Sequence, residues 1–239
     1  MYPTPVLNVP ALKVGGLSRF SATDWPGKLA AVVFVQGCPW ACSYCHNPHL
    51  QPRASDATLL WADVEHWLQG RVGLLDAVVF SGGEPTLDPA LPQAIAAVRA
   101  MGFAVGLHSA GMYPRALRAV LPLLDWVGLD VKALPEHYPA VTQVRDSAAP
   151  VQESLQALLD SGVAYEVRTT LLPGLHDASH VRTLADWLGA RGVQHFALQP
   201  FRAQGCATPV AAQPWQPDAA LQAALVDRFA RYTWRGEAA

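Results

Sequence analysis

Six short apolar, β-branched runs recur along the chain, at residues 29–36, 77–80, 103–108, 126–132, 166–171 and 195–199. Runs with so little polar alternation are what strands look like when both faces of a parallel sheet are covered. Between them, polar and apolar positions follow helical spacing with recognisable ends. Asp88 before Pro89 reads as an N-cap with proline at the first helical position, and predicts a helix to about Met101 closed by Gly102. Pro114 opens another helix, and the patterns at 150–161 and 179–190 end near Gly162 and Gly192. Upstream, residues 16–20 and the turn Asp24-Trp25-Pro26-Gly27 predict a small strand pairing with the first apolar run. Residues 204–217 read as a Pro-rich loop leading into a last helix over 218–234, with Leu221, Leu225, Phe229 and Tyr232 on one face.

Six strand–helix units in one alternating series predict an α/β fold without a separate second domain. A complete barrel needs eight such units and usually about 250 residues. The 239-residue chain therefore predicts an open, partial (β/α)6 barrel over 14–234, with flexible segments at 1–13 and 235–239. Hydrophobic residues make up 51% and charged ones 15%, which excludes a disordered protein. A net charge of −2 gives no long-range field to gather nucleic acid or an anionic membrane. The longest apolar stretch, 29–35, is too short to span a bilayer, and the N-terminus lacks the basic start and apolar core of a secretory signal. With clustered free thiols, these features predict a reducing, cytoplasmic setting.

Ligands of β/α folds bind beyond the C-terminal ends of the strands. That rule gathers the polar and glycine-rich points of this chain on one rim. A cysteine-rich loop follows the first predicted strand, Ser81-Gly82-Gly83-Glu84-Pro85 the second, and Ser109-Ala110-Gly111 the third. Lys132, one of only three lysines, ends the fourth; Arg168 lies in the fifth, and Gln199-Pro200-Phe201 closes the sixth.

Cys38, Cys42 and Cys45 carry the strongest signal, with the spacing C-x3-C-x2-C in one loop. Cubane iron–sulfur clusters normally take four thiolates, so three would leave one iron open for chemistry. Structural zinc completed by His46 or His49 is the rival reading, although zinc loops usually pair their ligands in two knuckles and no second knuckle is present. Cys206, far away in sequence, reads as a small buried hydrophobe.

The run CPWACSYC resembles the cluster loop of the radical S-adenosylmethionine (SAM) enzymes, and SGGEP resembles their second motif. Together with LDVKA and YEVRTTLLPGLH, these runs are similar to the glycyl-radical-enzyme activases, above all those that serve anaerobic ribonucleoside-triphosphate reductase. The likeness extends from about Gly16 to Phe201. It implies a [4Fe–4S] cluster on Cys38, Cys42 and Cys45, with SAM on the open iron and a 5′-deoxyadenosyl radical formed by one-electron cleavage of the sulfonium. It also implies Tyr44 against the adenine, and His46 ordering the loop with its backbone near that ring. Gly82 and Gly83 would admit the amino acid end of SAM, and Glu84 would face its cationic side. Asp130 and Lys132, on one face of their strand by alternation, would contact the cofactor, although an internal salt bridge is the plain alternative. Arg168 would serve its ribose or carboxylate, and Ser109 and Gln199 complete the binding set. The implied partners are a glycyl-radical enzyme, with anaerobic ribonucleotide reductase first, and an external electron donor such as flavodoxin.

One departure stands out. Some activases carry Asp-Thr-Asn-Gly after the third strand, where the Asp helps to hold a cation. Here the run is His108-Ser109-Ala110-Gly111, and a neutral histidine is a poor replacement. A radical SAM enzyme acting on a small molecule, of the 7-carboxy-7-deazaguanine synthase kind, and a zinc-stabilised binding module are the competing functions.

Overall fold

The computed structural model describes residues 11–53, 59–206 and 215–236. Their strands form one sheet whose spatial order is the chain order, β1 to β8. β1 (Val14–Ser21) runs antiparallel to β2 (Ala30–Val35), with Leu17 opposite Val33. From β2 onward every neighbouring pair is parallel, through β3 (Ala77–Gly82), β4 (Ala104–Ser109), β5 (Trp126–Asp130), β6 (Ala164–Leu171), β7 (His195–Pro200) and β8 (Arg231–Trp234). Parallel neighbours require crossovers. These are α1 (Trp61–Gln69), α2 (Leu91–Ala100), α3 (Pro114–Val120), the pair α4 (Tyr138–Thr142) and α5 (Ala148–Ser161), α6 (Ala178–Gly189) and α7 (Ala219–Arg228). No pairing joins β8 to β1 among the described residues. The fold is thus an open, partial (β/α)6 barrel, flanked by one antiparallel strand and one extra parallel strand.

Both faces of the sheet are buried, which is why its strands read as near-continuous apolar runs. Ala31, Val33, Val35, Val78 and Phe80 pack outward under the helices. Ala30, Val32, Ala77 and Val79 face the barrel interior, where Trp25 and Trp126 join them. The two indoles stack with centroids 5.5 Å apart and plug the lower barrel. Gly106 of β4 leaves room for this plug, since a Cβ there would stand 2.9 Å from the Trp25 ring.

The last helix expected over 218–234 ends at Arg228 instead. Arg231–Trp234 extends as β8, with Arg231 opposite His195 and Trp234 opposite Leu198. A short aromatic and β-branched run finds an open parallel edge, and that pairing overrides the helical spacing. α2 begins at Leu91 rather than just after Asp88. The Asp88 carboxylate instead accepts the Ala90 N–H at 2.9 Å and the Lys13 N–H at 3.1 Å, and pairs with Arg53 at 3.0 Å. Of the segments expected to be flexible, residues 1–10 and 237–239 lie outside the described residues, as do 207–214 of the expected loop. Leu12 is buried. No helix among the described residues is long and apolar enough to cross a membrane.

Candidate active site

At the C-terminal ends of the strands the barrel opens into a cavity of about 170 Å³. The loop after β2 supplies Cys38, Cys42, Tyr44, Cys45 and His46 to its wall. Gly82 and Gly83 line it from the β3 turn and Ser109 from the end of β4. Asp130 and Lys132 at the end of β5, Arg168 of β6 and Gln199 of β7 complete the ring. Every residue nominated from the sequence lines this cavity except Glu84.

The cysteine loop and the glycine turn are locked together through backbone. The Gly37 N–H donates to the Leu50 carbonyl at 2.7 Å, and the Gly37 carbonyl accepts the Glu84 N–H at 2.8 Å. The Gly83 N–H donates to the Val35 carbonyl at 2.9 Å. A Cβ on Gly83 would run into the Gly37 carbonyl oxygen, and one on Gly82, at φ +117°, would lie 2.5 Å from the Val35 nitrogen. The glycine pair is therefore required for the two loops to interlock, before any ligand is considered. Glu84 is wholly buried at this junction. Its carboxylate accepts the Thr86 N–H and hydroxyl at 3.1 and 2.5 Å, the Ser109 hydroxyl at 2.9 Å and the Ala110 N–H at 2.8 Å. Burial raises its pKa against the pull of these bonds. The side chain ties the β3 turn to the β4 loop, rather than facing the cavity as expected.

Charge is arranged by strand alternation. Val131 is buried, while Asp130 and Lys132 turn to the cavity. Arg168 donates from Nε to the Asp130 carboxylate at 3.0 Å, and its second nitrogen lies 2.8 Å from the same oxygen. Lys132 Nζ stands 3.7 Å from the other carboxylate oxygen and 5.6 Å from the centre of the Tyr44 ring. Burial works to raise the Asp130 carboxyl, but Arg168 and then Lys132 outweigh it and hold its pKa low. The internal salt bridge and the cavity lining are thus the same residues. Gly128 makes the space, because a Cβ there would meet the Arg168 guanidinium at 2.9 Å. Gln199 is fixed by donating from Nε2 to the Thr170 hydroxyl at 2.7 Å.

His108 is held between two partners. Nε2 lies 2.7 Å from the Asp24 carbonyl and Nδ1 3.2 Å from the Ser81 hydroxyl. Burial, then the positive charge of Arg168, pushes its pKa down to about 3, so the ring is neutral. Nε2–H then donates to Asp24 and Nδ1 accepts from Ser81, which leaves no lone pair for a cation.

The three thiols are half-buried, and burial pushes Cys38 up to about 11 and raises Cys42 as well. Cys38 and Cys42 keep their protons until a metal displaces them. His46 Nε2 lies 2.8 Å from the Arg202 carbonyl, with its ring stacked on Phe201, and His49 is exposed. Neither imidazole completes a Cys3His tetrahedron. Among the described residues no three His, Cys, Asp or Glu side chains converge tightly enough to grip a single ion. Three thiols spread around an open, charged cavity suit a cluster with one free iron better than a closed zinc site. Cys206 stays out of the lining, its Sγ 3.5 Å from the Tyr44 and Arg202 carbonyls.

Residues 32–188 match the family model of the radical SAM superfamily. The chain belongs to this superfamily. A radical SAM protein is implied to use a [4Fe–4S] cluster and SAM, and Cys38, Cys42 and Cys45 have the spacing for the first. Over 198 residues, 79% of each chain, it is 27% identical to a Methanocaldococcus jannaschii protein named among the glycyl-radical enzyme activating enzymes. It is 28% identical over 201 residues to the pyruvate formate-lyase-activating enzyme of Clostridium pasteurianum, covering 81% of this chain and 83% of that one. Among solved structures, Streptococcus suis SuiB with its precursor peptide SuiA superposes with a TM-score of 0.66 at 12% identity, over 86% of this chain and 48% of SuiB. The chain thus spans about half the length of SuiB. QueE from Escherichia coli gives 0.54 at 14% identity and covers 95% of both chains. Both structures share the radical SAM fold seen here.

Sequence reasoning missed several residues of the cavity. Thr170 lies two positions from Arg168, so alternation alone would have placed it on the inner face. Trp40 and Asn47 sit in loops, where no periodicity marks their direction.

Proposed function

We propose that this radical SAM protein is an activase that generates a glycyl radical on a partner enzyme, with anaerobic ribonucleoside-triphosphate reductase as the target. One observation carries the reading: three thiols, a glycine turn and the Asp130–Arg168–Lys132 set meet around a single open cavity at the barrel mouth. When bound, a [4Fe–4S] cluster on Cys38, Cys42 and Cys45 together with SAM supplies a 5′-deoxyadenosyl radical, using an electron from an external donor such as flavodoxin. Tyr44 offers a flat, buried ring to the adenine. Lys132 and Arg168 offer cationic donors to carboxylate and ribose, and Asp130 keeps both turned inward. Ser109 and Gln199 add polar contacts, and His46 orders the loop that carries Tyr44. Such a radical would take a hydrogen atom from Cα of the partner's glycine, giving 5′-deoxyadenosine and leaving the unpaired electron on the glycine.

The similarity to named activating enzymes supports an activase, as do the Cys45-His46-Asn47-Pro48 run and the Asp130-Val131-Lys132 strand end. The engaged nitrogens of His108, where some activases use an acidic cation ligand, favour the reductase partner over pyruvate formate-lyase. The reduced protein with SAM is expected to produce a glycyl-radical doublet in electron spin resonance on anaerobic ribonucleotide reductase, with an equivalent amount of 5′-deoxyadenosine. A doublet on pyruvate formate-lyase alone would reassign the partner. No doublet on either enzyme, with turnover of a purine-like substrate, would replace the activase reading by the small-molecule one.

A further inference from the structure

Arg235 lies beyond the residues matched by the family model, yet its side chain enters the barrel. It follows β8 directly, and its N–H donates to the Leu198 carbonyl at 2.9 Å, so it extends the pairing with β7. Arg231 and Thr233 face the interior, and alternation puts Arg235 on the same side, level with Gln199. Its guanidinium does not line the upper cavity. It pairs directly with Glu166, which lines the lower barrel.

Glu166 is 7% exposed and stands two residues before Arg168 on the same inward face of β6. Residues so related lie roughly 7 Å apart along a strand, within reach of a long arginine side chain. Besides Arg231, which lines the lower barrel with it, Glu166 has two candidate cations, Arg168 above and Arg235 beside it. In the structure Arg168 is committed to Asp130 and the cavity, and Arg235 to Glu166. The interior reads as an alternating column: Lys132, Asp130, Arg168, Glu166, Arg235. Burial lowers the Arg235 pKa, and the negative charge of Glu166 opposes that shift.

We propose that Arg235 is a positioning residue: by occupying Glu166, it keeps Arg168 turned toward Asp130 and the cofactor cavity. Without it, Glu166 would be a buried carboxylate short of a partner, and Arg168, on the same face of β6, is a cation within reach. A swing of Arg168 toward Glu166 takes the guanidinium out of the cavity and leaves Asp130 with Lys132 alone. The inference rests on reading the cavity as the SAM site.

The test is SAM affinity of the cluster-loaded protein, measured by equilibrium dialysis alongside thermal melting. Arg235→Gln is expected to raise the Kd for SAM about tenfold. The double variant Glu166→Gln/Arg235→Gln removes the competing carboxylate and is expected to return within about threefold of wild type. Glu166→Gln alone, which leaves Arg168 no rival partner, is expected to bind SAM as wild type and serves also if Arg235→Gln does not fold. A merely structural Arg235 would lower the melting temperature of Arg235→Gln but leave the Kd unchanged, and that result overturns the proposal. So does a double variant as weak as the single one, or a tenfold loss in Glu166→Gln. Wild-type protein that binds no SAM would overturn the cavity reading itself, a failure distinct from an unchanged Arg235→Gln.

Discussion

Cys42→Ala is expected to fold and yet to hold less than about one iron per chain, against about four in the reconstituted wild type. The thiol sits half-buried against the core, and alanine is tolerated there as a smaller apolar residue. With two thiolates remaining, no cubane is retained, and reductive cleavage of SAM is expected to fall by a factor on the order of a thousand or more. Cys206→Ala provides the contrast. Its Sγ meets the Tyr44 and Arg202 carbonyls and not the cavity, so iron content and SAM cleavage are expected to stay near wild type. Iron and sulfide analysis with an absorption spectrum checks both variants. Full iron in Cys42→Ala, or loss of iron in Cys206→Ala, would show that the ligands are assigned wrongly.

Gly83→Ala is expected to damage both stability and cofactor binding, since its Cβ has no free volume. It would meet the Gly37 carbonyl oxygen, with the Gly37 carbon at 2.8 Å and the Leu50 carbonyl oxygen at 3.1 Å. All three are backbone atoms in the clasp that orients the residue before Cys38. Relief demands that the Glu84 N–H leave the Gly37 carbonyl, so a loss of about 2–3 kcal/mol in unfolding free energy is expected. Affinity for SAM should drop about tenfold or more as the cysteine loop shifts. Gly102→Ala separates clash from backbone strain. Gly102 also has a positive φ, +94°, but a Cβ there would find nothing within 4 Å, so only about 1 kcal/mol is expected. Urea unfolding of the metal-free proteins and SAM titration of the reconstituted ones measure the two effects. Equal losses in Gly83→Ala and Gly102→Ala would remove the argument for the clasp.

Much of this site is legible in the chain because its parts sit at strand ends. Apolar runs that lack alternation locate six strands, and the rule that ligands gather at their C-terminal ends brings the cysteine loop, the glycine turn, Asp130, Lys132, Arg168 and Gln199 together. What escapes depends on partners distant in sequence. Glu84 turns away from the cavity because Ser109 and Ala110, supplied by the next β/α unit, offer it two donors. Leu221, Leu225, Phe229 and Tyr232 fit helical spacing through β8, whereas the open edge of β7 decides the outcome. Trp25 comes from a turn, where nothing local says that it will cross the barrel to stack on Trp126. The role of Arg235 follows from a strand that periodicity does not reveal.

Mössbauer spectroscopy of the iron-labelled, anaerobically reconstituted protein tests the central claim most directly. With three thiols and an open coordination position, one iron of a [4Fe–4S] cluster is expected to change its signal when SAM is added, while the other three keep theirs. A spectrum untouched by SAM, or a chain that takes up zinc at these cysteines in place of iron, would contradict it.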